Sequence, residues 1–298
     1  MSAVGAGRDA EPGLPGRPPF GVRLAAAMDE RGPLCVGIDP HRELLADWNL
    51  DDDAAGLRDF CLRVVEAVGG RVAAVKPQSA FFERHGAAGI AVLEQTLAAL
   101  RECGTPAVLD VKRGDIGSTM AGYAQAYLVD GAPLAADAIT VSPYLGYGSL
   151  APALDAAAAS GRGVFVLALT SNPEGAAVQH AVSGERAVAA GVVEGVTASN
   201  AIASGAGELG SIGLVIGATV GEAVSRLGID LLRANGPLLA PGIGAQGAGP
   251  GELESVFGPA RRHVLASTSR GVLKAGPSIE ALRATALKAT HEAATALR

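Results

Sequence analysis

Basic blocks are missing from this chain. Its 298 residues carry 24 Lys and Arg against 30 Asp and Glu, a net charge of −6. Nonspecific binding to nucleic acid or to an anionic membrane surface needs a basic face, so both are excluded as roles. A small phosphorylated ligand remains compatible, because one or two placed cations suffice to hold it. Cysteine is scarce as well. Cys35, Cys61 and Cys103 form an odd, widely spaced set with no Cys-x-x-Cys spacing, and the five histidines include no His-x-x-His pair. Such a set reads as buried thiols in a reducing cytosol, with no zinc site. No apolar run reaches the roughly 18 residues of a membrane-spanning helix. Residues 1–20 are rich in Gly, Pro and Arg and lack the apolar segment of a secretory signal. They are expected to form a loose N-terminal arm ahead of one domain over residues 21–298, in a cytoplasmic protein with no membrane partner.

A dinucleotide-binding turn of the Gly-x-Gly-x-x-Gly type is also absent after the first apolar run, where the chain reads Asp39-Pro40-His41. What is present is alternation. Short β-like runs at residues 34–39, 72–76, 107–111, 138–141, 163–169, 213–217, 238–240 and 264–267 are separated by Ala/Leu/Val-rich segments of helical period. Leu57, Phe60, Cys61, Val64 and Val68 mark one helical stripe, and Ile90, Leu93, Leu97 and Leu100 another. Eight strands each followed by a helix predict an α/β protein, a (β/α)8 TIM barrel. Residues 173–209 are long for one crossover and should hold irregular structure besides a helix. The Gly/Pro-rich stretch from 237 to 251 suits either a surface loop or a lid over a ligand.

In a barrel of this kind chemistry sits at the carboxyl ends of the strands. Polar residues gather there: Asp39, Lys76, Asp110 with Lys112, Thr170-Ser171-Asn172, Pro241-Gly242-Ile243-Gly244 and Ser269-Arg270-Gly271. The densest stretch is Ala107-Val108-Leu109-Asp110-Val111-Lys112-Arg113-Gly114-Asp115-Ile116-Gly117-Ser118-Thr119, with four charges in six residues. Strand parity puts Asp110 and Lys112 on one face. Gly114 is expected to permit a sharp turn, and Ser118 or Thr119 to cap a helix over 120–128. A single Asp-x-Lys would be an ordinary structural ion pair; the ordered set of polar strand ends is what points to an active-site rim.

Asp110, Lys112, Asp115, Ile116 and Thr119, read as Asp-x-Lys-x-x-Asp-Ile-x-x-Thr, resemble the signature of the orotidine 5′-phosphate decarboxylase family. The likeness extends through Val36-Gly37-Ile38-Asp39, Val75-Lys76-Pro77-Gln78, Leu169-Thr170-Ser171, Pro241-Gly242-Ile243 and Ser269-Arg270-Gly271. The Lys76-to-Glu83 run and Thr170-Ser171-Asn172-Pro173 are similar to its longer, second bacterial subgroup. Where compact members carry Gly-Arg, this chain has Ser269-Arg270.

The resemblance implies decarboxylation of orotidine 5′-phosphate without metal or organic cofactor, in a homodimer with shared sites. It implies a charge tetrad of Lys76, Asp110, Lys112 and the partner's Asp115, with Lys112 giving a proton to C6 of the pyrimidine. Asp39 and Thr119 would hold the ribose, Ser171 the pyrimidine, and Gln246 and Arg270 the phosphate, with Ile116 and Pro241 beside the substrate. Three other readings remain open. A magnesium-dependent sugar-phosphate decarboxylase or aldol-type synthase of the related barrels would need an acidic metal ligand where Lys76 stands. A Schiff-base aldolase would need a lysine of depressed pKa, whereas flanking aspartates favour the charged ammonium. A non-catalytic nucleotide-binding barrel would not need all four charges.

Overall fold

The computed structural model describes residues 17–243 and 248–297. Eight strands form one parallel sheet: β1 (Leu34–Ile38), β2 (Ala74–Pro77), β3 (Val108–Arg113), β4 (Ala138–Val141), β5 (Gly163–Leu169), β6 (Ile212–Ile216), β7 (Leu238–Pro241) and β8 (Val264–Thr268). The ladder runs β2-β1-β8-β7-β6-β5-β4-β3. Parallel bridges Val75–Ala107 and Gln78–Asp110 join its two ends and close the ring. The (β/α)8 barrel is therefore the observed architecture. The largest departures from the sequence reading are a start at Ala74 rather than residue 72 and an end at Arg113 rather than residue 111.

The helices bury the stripes that the sequence marks. In the helix Ala54–Val68, the Asp53 side chain accepts the Gly56 N–H at 2.8 Å and closes the first turn. Leu57, Phe60, Cys61, Val64 and Val68 are then fully covered, each large side chain contributing about 1.5–3 kcal/mol of burial. Leu93, Leu97 and Leu100 do the same from Gly86–Glu102, while Ile90 is only half-buried. Cys35 and Cys61 are buried, but Cys103 is exposed, because it caps this helix just before the chain turns at Gly104. The long crossover after β5 holds a 3-10 turn (Pro173–Gly175), a short helix (Ala176–Gln179), a small hairpin (Val182–Ser183 with Arg186–Ala187) and the helices Val188–Ser199 and Ala201–Gly205.

One helix, Phe20–Arg31, has no counterpart among the sequence-derived elements. Phe20, Leu24 and Ala27 join Cys35, Ala74, Val108, Phe165, Val215, Leu239 and Leu265 in a core separate from the outer helical layer. Phe20 meets the Phe165 ring edge-on at 5.9 Å. Gly21 donates its N–H to Ser211 Oγ at 3.1 Å and lies so close to Leu209 that a β-carbon would fall 2.1 Å from its carbonyl oxygen. This helix closes the floor of the barrel, and polar side chains are left to the opposite end. Of the expected N-terminal arm, residues 1–16 lie outside the described residues.

Candidate active site

The carboxyl ends of the strands surround a cavity of about 790 Å³. Its walls carry Asp39, Lys76, Asp110 and Lys112 on one side and Ser171, Pro241 and Arg270 on the other. The strand-end residues expected from sequence line this one cavity, apart from Gly244, which lies outside the described residues.

β2 and β3 set its charged wall. Lys76 lies on a strand buried along its whole length and is itself 7% exposed. Its ammonium donates to Asp110 Oδ2 at 3.1 Å and stands 4.0 Å from Asp39 Oδ1. Lys112 donates to the other Asp110 oxygen, Oδ1, at 2.6 Å. One carboxylate thus sits between two ammonium groups. Burial pushes the Asp110 pKa up, but the Lys76 and Lys112 charges and the hydrogen bonds to its oxygens outweigh that and hold it at about 2. Burial also works against the Lys76 ammonium, yet Asp39 and Asp110 overcome it and raise its pKa. A Schiff-base role needs the opposite shift. Below this wall the Cys35 thiol is pushed up to about 12 by burial and stays protonated.

The meeting of Asp110 and Lys112 arises differently from simple strand parity. Leu109 pairs with Ile139 and Arg113 with Val141, so β3 advances four residues while β4 advances two. The excess is a bulge, and Lys112 takes the left-handed backbone at φ +46°. Its N–H donates to Thr140 Oγ1 at 2.9 Å, and the Thr140 hydroxyl donates to Asp110 Oδ1 at 2.7 Å. Gly114 serves a purpose other than the expected turn. A β-carbon there would lie 2.3 Å from the Ser142 carbonyl oxygen, so glycine is required for close approach, while the left-handed backbone falls at Lys112, inside the bulged strand. The following helix is Gly117–Leu128, with Ile116 at its N-cap and no capping side chain from Ser118 or Thr119.

Asp115, Ile116 and Thr119 are not part of this cavity. Asp115 Oδ1 accepts the Ile116 N–H at 2.8 Å and forms no ion pair with Lys76 or Lys112 within the chain. Ile116 is 62% exposed, and Thr119 is exposed on the same outer turn. Close by, where Gly114 abuts Ser142, Tyr144 and Leu145 are exposed too. Gln246 lies outside the described residues.

On the far wall the Thr170 hydroxyl donates to Asn172 Oδ1 at 2.6 Å and accepts from Gln179 Nε2 at 2.7 Å. Ser171 has no hydrogen-bond partner among the described residues and faces the cavity with its neighbours occupied. Arg270 opens the short helix after β8 and is exposed on the rim, with Lys274 one turn further on lining the same cavity. Asp39 Oδ1 and Ser269 Oγ are buried atoms without a hydrogen-bond partner among the described residues. Among the described residues no three His, Cys, Asp or Glu side chains are grouped to hold a metal. Between Asp39 and Asp110, where a cation would be drawn, stands Lys76.

Sequence reasoning missed Thr140, Gln78, His41 and Lys274 as cavity residues. Gln78 could have been found from its place two residues beyond Lys76 on a strand end. Thr140 gives no such signal, since a threonine inside an apolar strand run is an ordinary β-former.

Comparison with known proteins bears on the whole chain. A Streptomyces coelicolor orotidine 5′-phosphate decarboxylase is 59% identical over 281 residues, covering 94% of this chain and 98% of the relative. The Salinispora arenicola enzyme of that name is 60% identical over 279 residues, covering 93% and 98%. Among solved structures, a Streptomyces avermitilis protein assigned provisionally to the same activity superposes with a TM-score of 0.90 at 57% identity, covering 97% of this chain and 99% of the other. Leishmania donovani OMP decarboxylase gives 0.72 at 32% identity, covering 92% and 97%. The family model for orotidine 5′-phosphate decarboxylase / HUMPS matches residues 32–285, the span that holds the barrel and every charged group of the cavity wall. The chain belongs to the orotidine 5′-phosphate decarboxylase / HUMPS family.

Proposed function

We propose that this protein decarboxylates orotidine 5′-phosphate to uridine 5′-phosphate and carbon dioxide, a step of pyrimidine biosynthesis, as a homodimeric cytoplasmic enzyme of the longer bacterial subgroup. The observation that carries the reading is Asp110 held between the Lys76 and Lys112 ammonium groups, at 3.1 and 2.6 Å, on the wall of a cavity with Arg270 at its rim.

Loss of carbon dioxide breaks the C6–carboxyl bond and leaves its electron pair on C6, where no neighbouring carbonyl can delocalise it. Lys112 stabilises that charge as it forms and delivers an Nζ proton to C6; the amine then regains a proton from solvent. An ammonium already fixed by a carboxylate needs little reorganisation at the moment of reaction, which is where such electrostatic stabilisation is most effective. Asp110, which stays ionised above about pH 2, holds Lys112 and also repels the substrate carboxylate, a contact relieved as carbon dioxide departs. Arg270 and Gln246 grip the phosphate, Asp39 a ribose hydroxyl, and Ser171 the pyrimidine edge, with Pro241 lining the same wall. Binding energy from the remote phosphate then serves the reacting centre. Asp115, Ile116 and Thr119 act in the site of a second copy; the exposed Ile116, Tyr144 and Leu145 around them are the apolar surface that such a copy would cover.

The test follows the pyrimidine absorbance of orotidine 5′-phosphate with EDTA present. Conversion to uridine 5′-phosphate at an undiminished rate is expected. An unchanged spectrum at high enzyme concentration rejects the reading, and conversion seen only without EDTA overturns the metal-free mechanism.

A further inference from the structure

We infer that Thr140 is a positioning residue for the proton donor: its hydroxyl fixes both the backbone turn and the carboxylate that aim Lys112. The inference rests on the decarboxylase reading and extends it to a residue outside the tetrad.

Thr140 is 1% exposed and lines the cavity from β4. It stands opposite the part of β3 where the ladder is interrupted, between the pairs Leu109–Ile139 and Arg113–Val141. In the regular part of β3 the C=O of Asp110 faces β2 and that of Ala107 faces β4, so by alternation the Lys112 N–H would be directed at β2. The bulge turns it toward β4 instead, where Thr140 Oγ1 accepts it at 2.9 Å. This bond holds Lys112 at φ +46°, a conformation that a residue with a β-carbon disfavours.

A hydroxyl has one proton and two lone pairs. With the Lys112 N–H directed at a lone pair, the proton of Thr140 points to Asp110 Oδ1 at 2.7 Å. That oxygen therefore receives two donors, Thr140 and the Lys112 ammonium, while Oδ2 is left for Lys76. The plane of the carboxylate is set by three contacts from three strands. Thr140 thus touches the proton donor twice, once through its backbone and once through the anion that orients its tip. It makes no hydrogen bond to Arg270, Ser171 or Asp39.

Thr140→Val keeps the β-branched shape and removes both hydrogen bonds, whereas Thr140→Ser keeps the hydroxyl. A misplacement on the order of 1 Å at a reacting group costs about 100-fold in rate. The valine variant is accordingly expected to lose about 10- to 100-fold in kcat on orotidine 5′-phosphate, with KM and uridine 5′-phosphate affinity within about threefold of wild type. The serine variant is expected to recover most of the loss. Should the valine protein fail to fold, Thr140→Ala carries the same comparison against serine. Equal kcat in the hydroxyl-less and serine variants overturns the inference, as does a loss confined to KM. A wild-type protein without decarboxylase activity sinks the parent reading instead, so the two failures are distinct.

Discussion

Replacing Lys76 by methionine keeps the length of the side chain and removes its charge from a place that water hardly reaches. The Lys76, Asp39 and Asp110 side chains are 9%, 14% and 8% exposed. Without the ammonium, the two carboxylates face the hole it leaves. Breaking a buried pair by deleting one partner costs about 3–5 kcal/mol, because the remaining charge is left uncompensated. The contrast is Lys112→Met, which removes a side chain that is 47% exposed. Asp110 keeps Lys76 and Thr140 in that variant, so a cost of about 1 kcal/mol or less is expected. Urea unfolding at fixed protein concentration should separate the two variants by about 2–4 kcal/mol at pH 7. Acidity should then narrow the gap. Asp110 has a folded pKa depressed to about 2, against roughly 3.9 in an unfolded chain. Its contribution is fully present above the unfolded value and is lost as pH falls through the folded one. In Lys76→Met the charge that does most to depress Asp110 is gone, so its carboxyl takes up a proton at higher pH than in wild type, and the penalty should shrink as pH is lowered toward 2. Equal stabilities for the two variants at neutral pH, or a gap indifferent to acid, would refute the view that Lys76 neutralises a buried carboxylate pair.

Lys112→Ala should abolish turnover while still binding uridine 5′-phosphate, read by fluorescence or calorimetric titration; retained turnover removes Lys112 from the mechanism. Mixed with inactive Asp115→Asn and allowed to exchange subunits, it should regain part of the activity, because one hybrid site then has every group intact. No recovery after verified exchange places the whole site in one chain. Gly114→Ala introduces a β-carbon 2.3 Å from the Ser142 carbonyl oxygen. It should cost about 1–3 kcal/mol in urea unfolding and lower kcat by displacing the end of β3; a neutral variant means that Gly114 is not needed for that approach.

The strands were legible because each is a short apolar run, several of them ending in a polar or charged residue, and the barrel followed from their number and alternation. Lys76, Asp110, Lys112, Asp39 and Arg270 could be brought together on paper, since a parallel barrel gathers all carboxyl ends on one rim. The bulge could not. A left-handed backbone at a lysine leaves no trace in composition, and the glycine two residues later drew the expected turn to itself. Thr140 was hidden by its suitability for a strand. The cap expected from Ser118 or Thr119 failed because the helix begins earlier, at Gly117. The helix Phe20–Arg31 escaped because its buried face, Phe20, Leu24 and Ala27, is narrow and much of it packs through small residues.

That first helix also says something about the order of assembly. Phe20 and Leu24 rest on Phe165, Val215, Leu239 and Leu265, which come from β5, β6, β7 and β8. The Gly21–Ser211 hydrogen bond spans 190 positions. A nascent chain makes the plug at the outset and its socket at the end, so the helix must wait, with its apolar stripe bare, until the last strand arrives. Contacts of such long separation are slow to form and leave sticky surface uncovered in the interval. Sealing the underside of the ring thus has to follow the arrival of β8, the last strand of the socket.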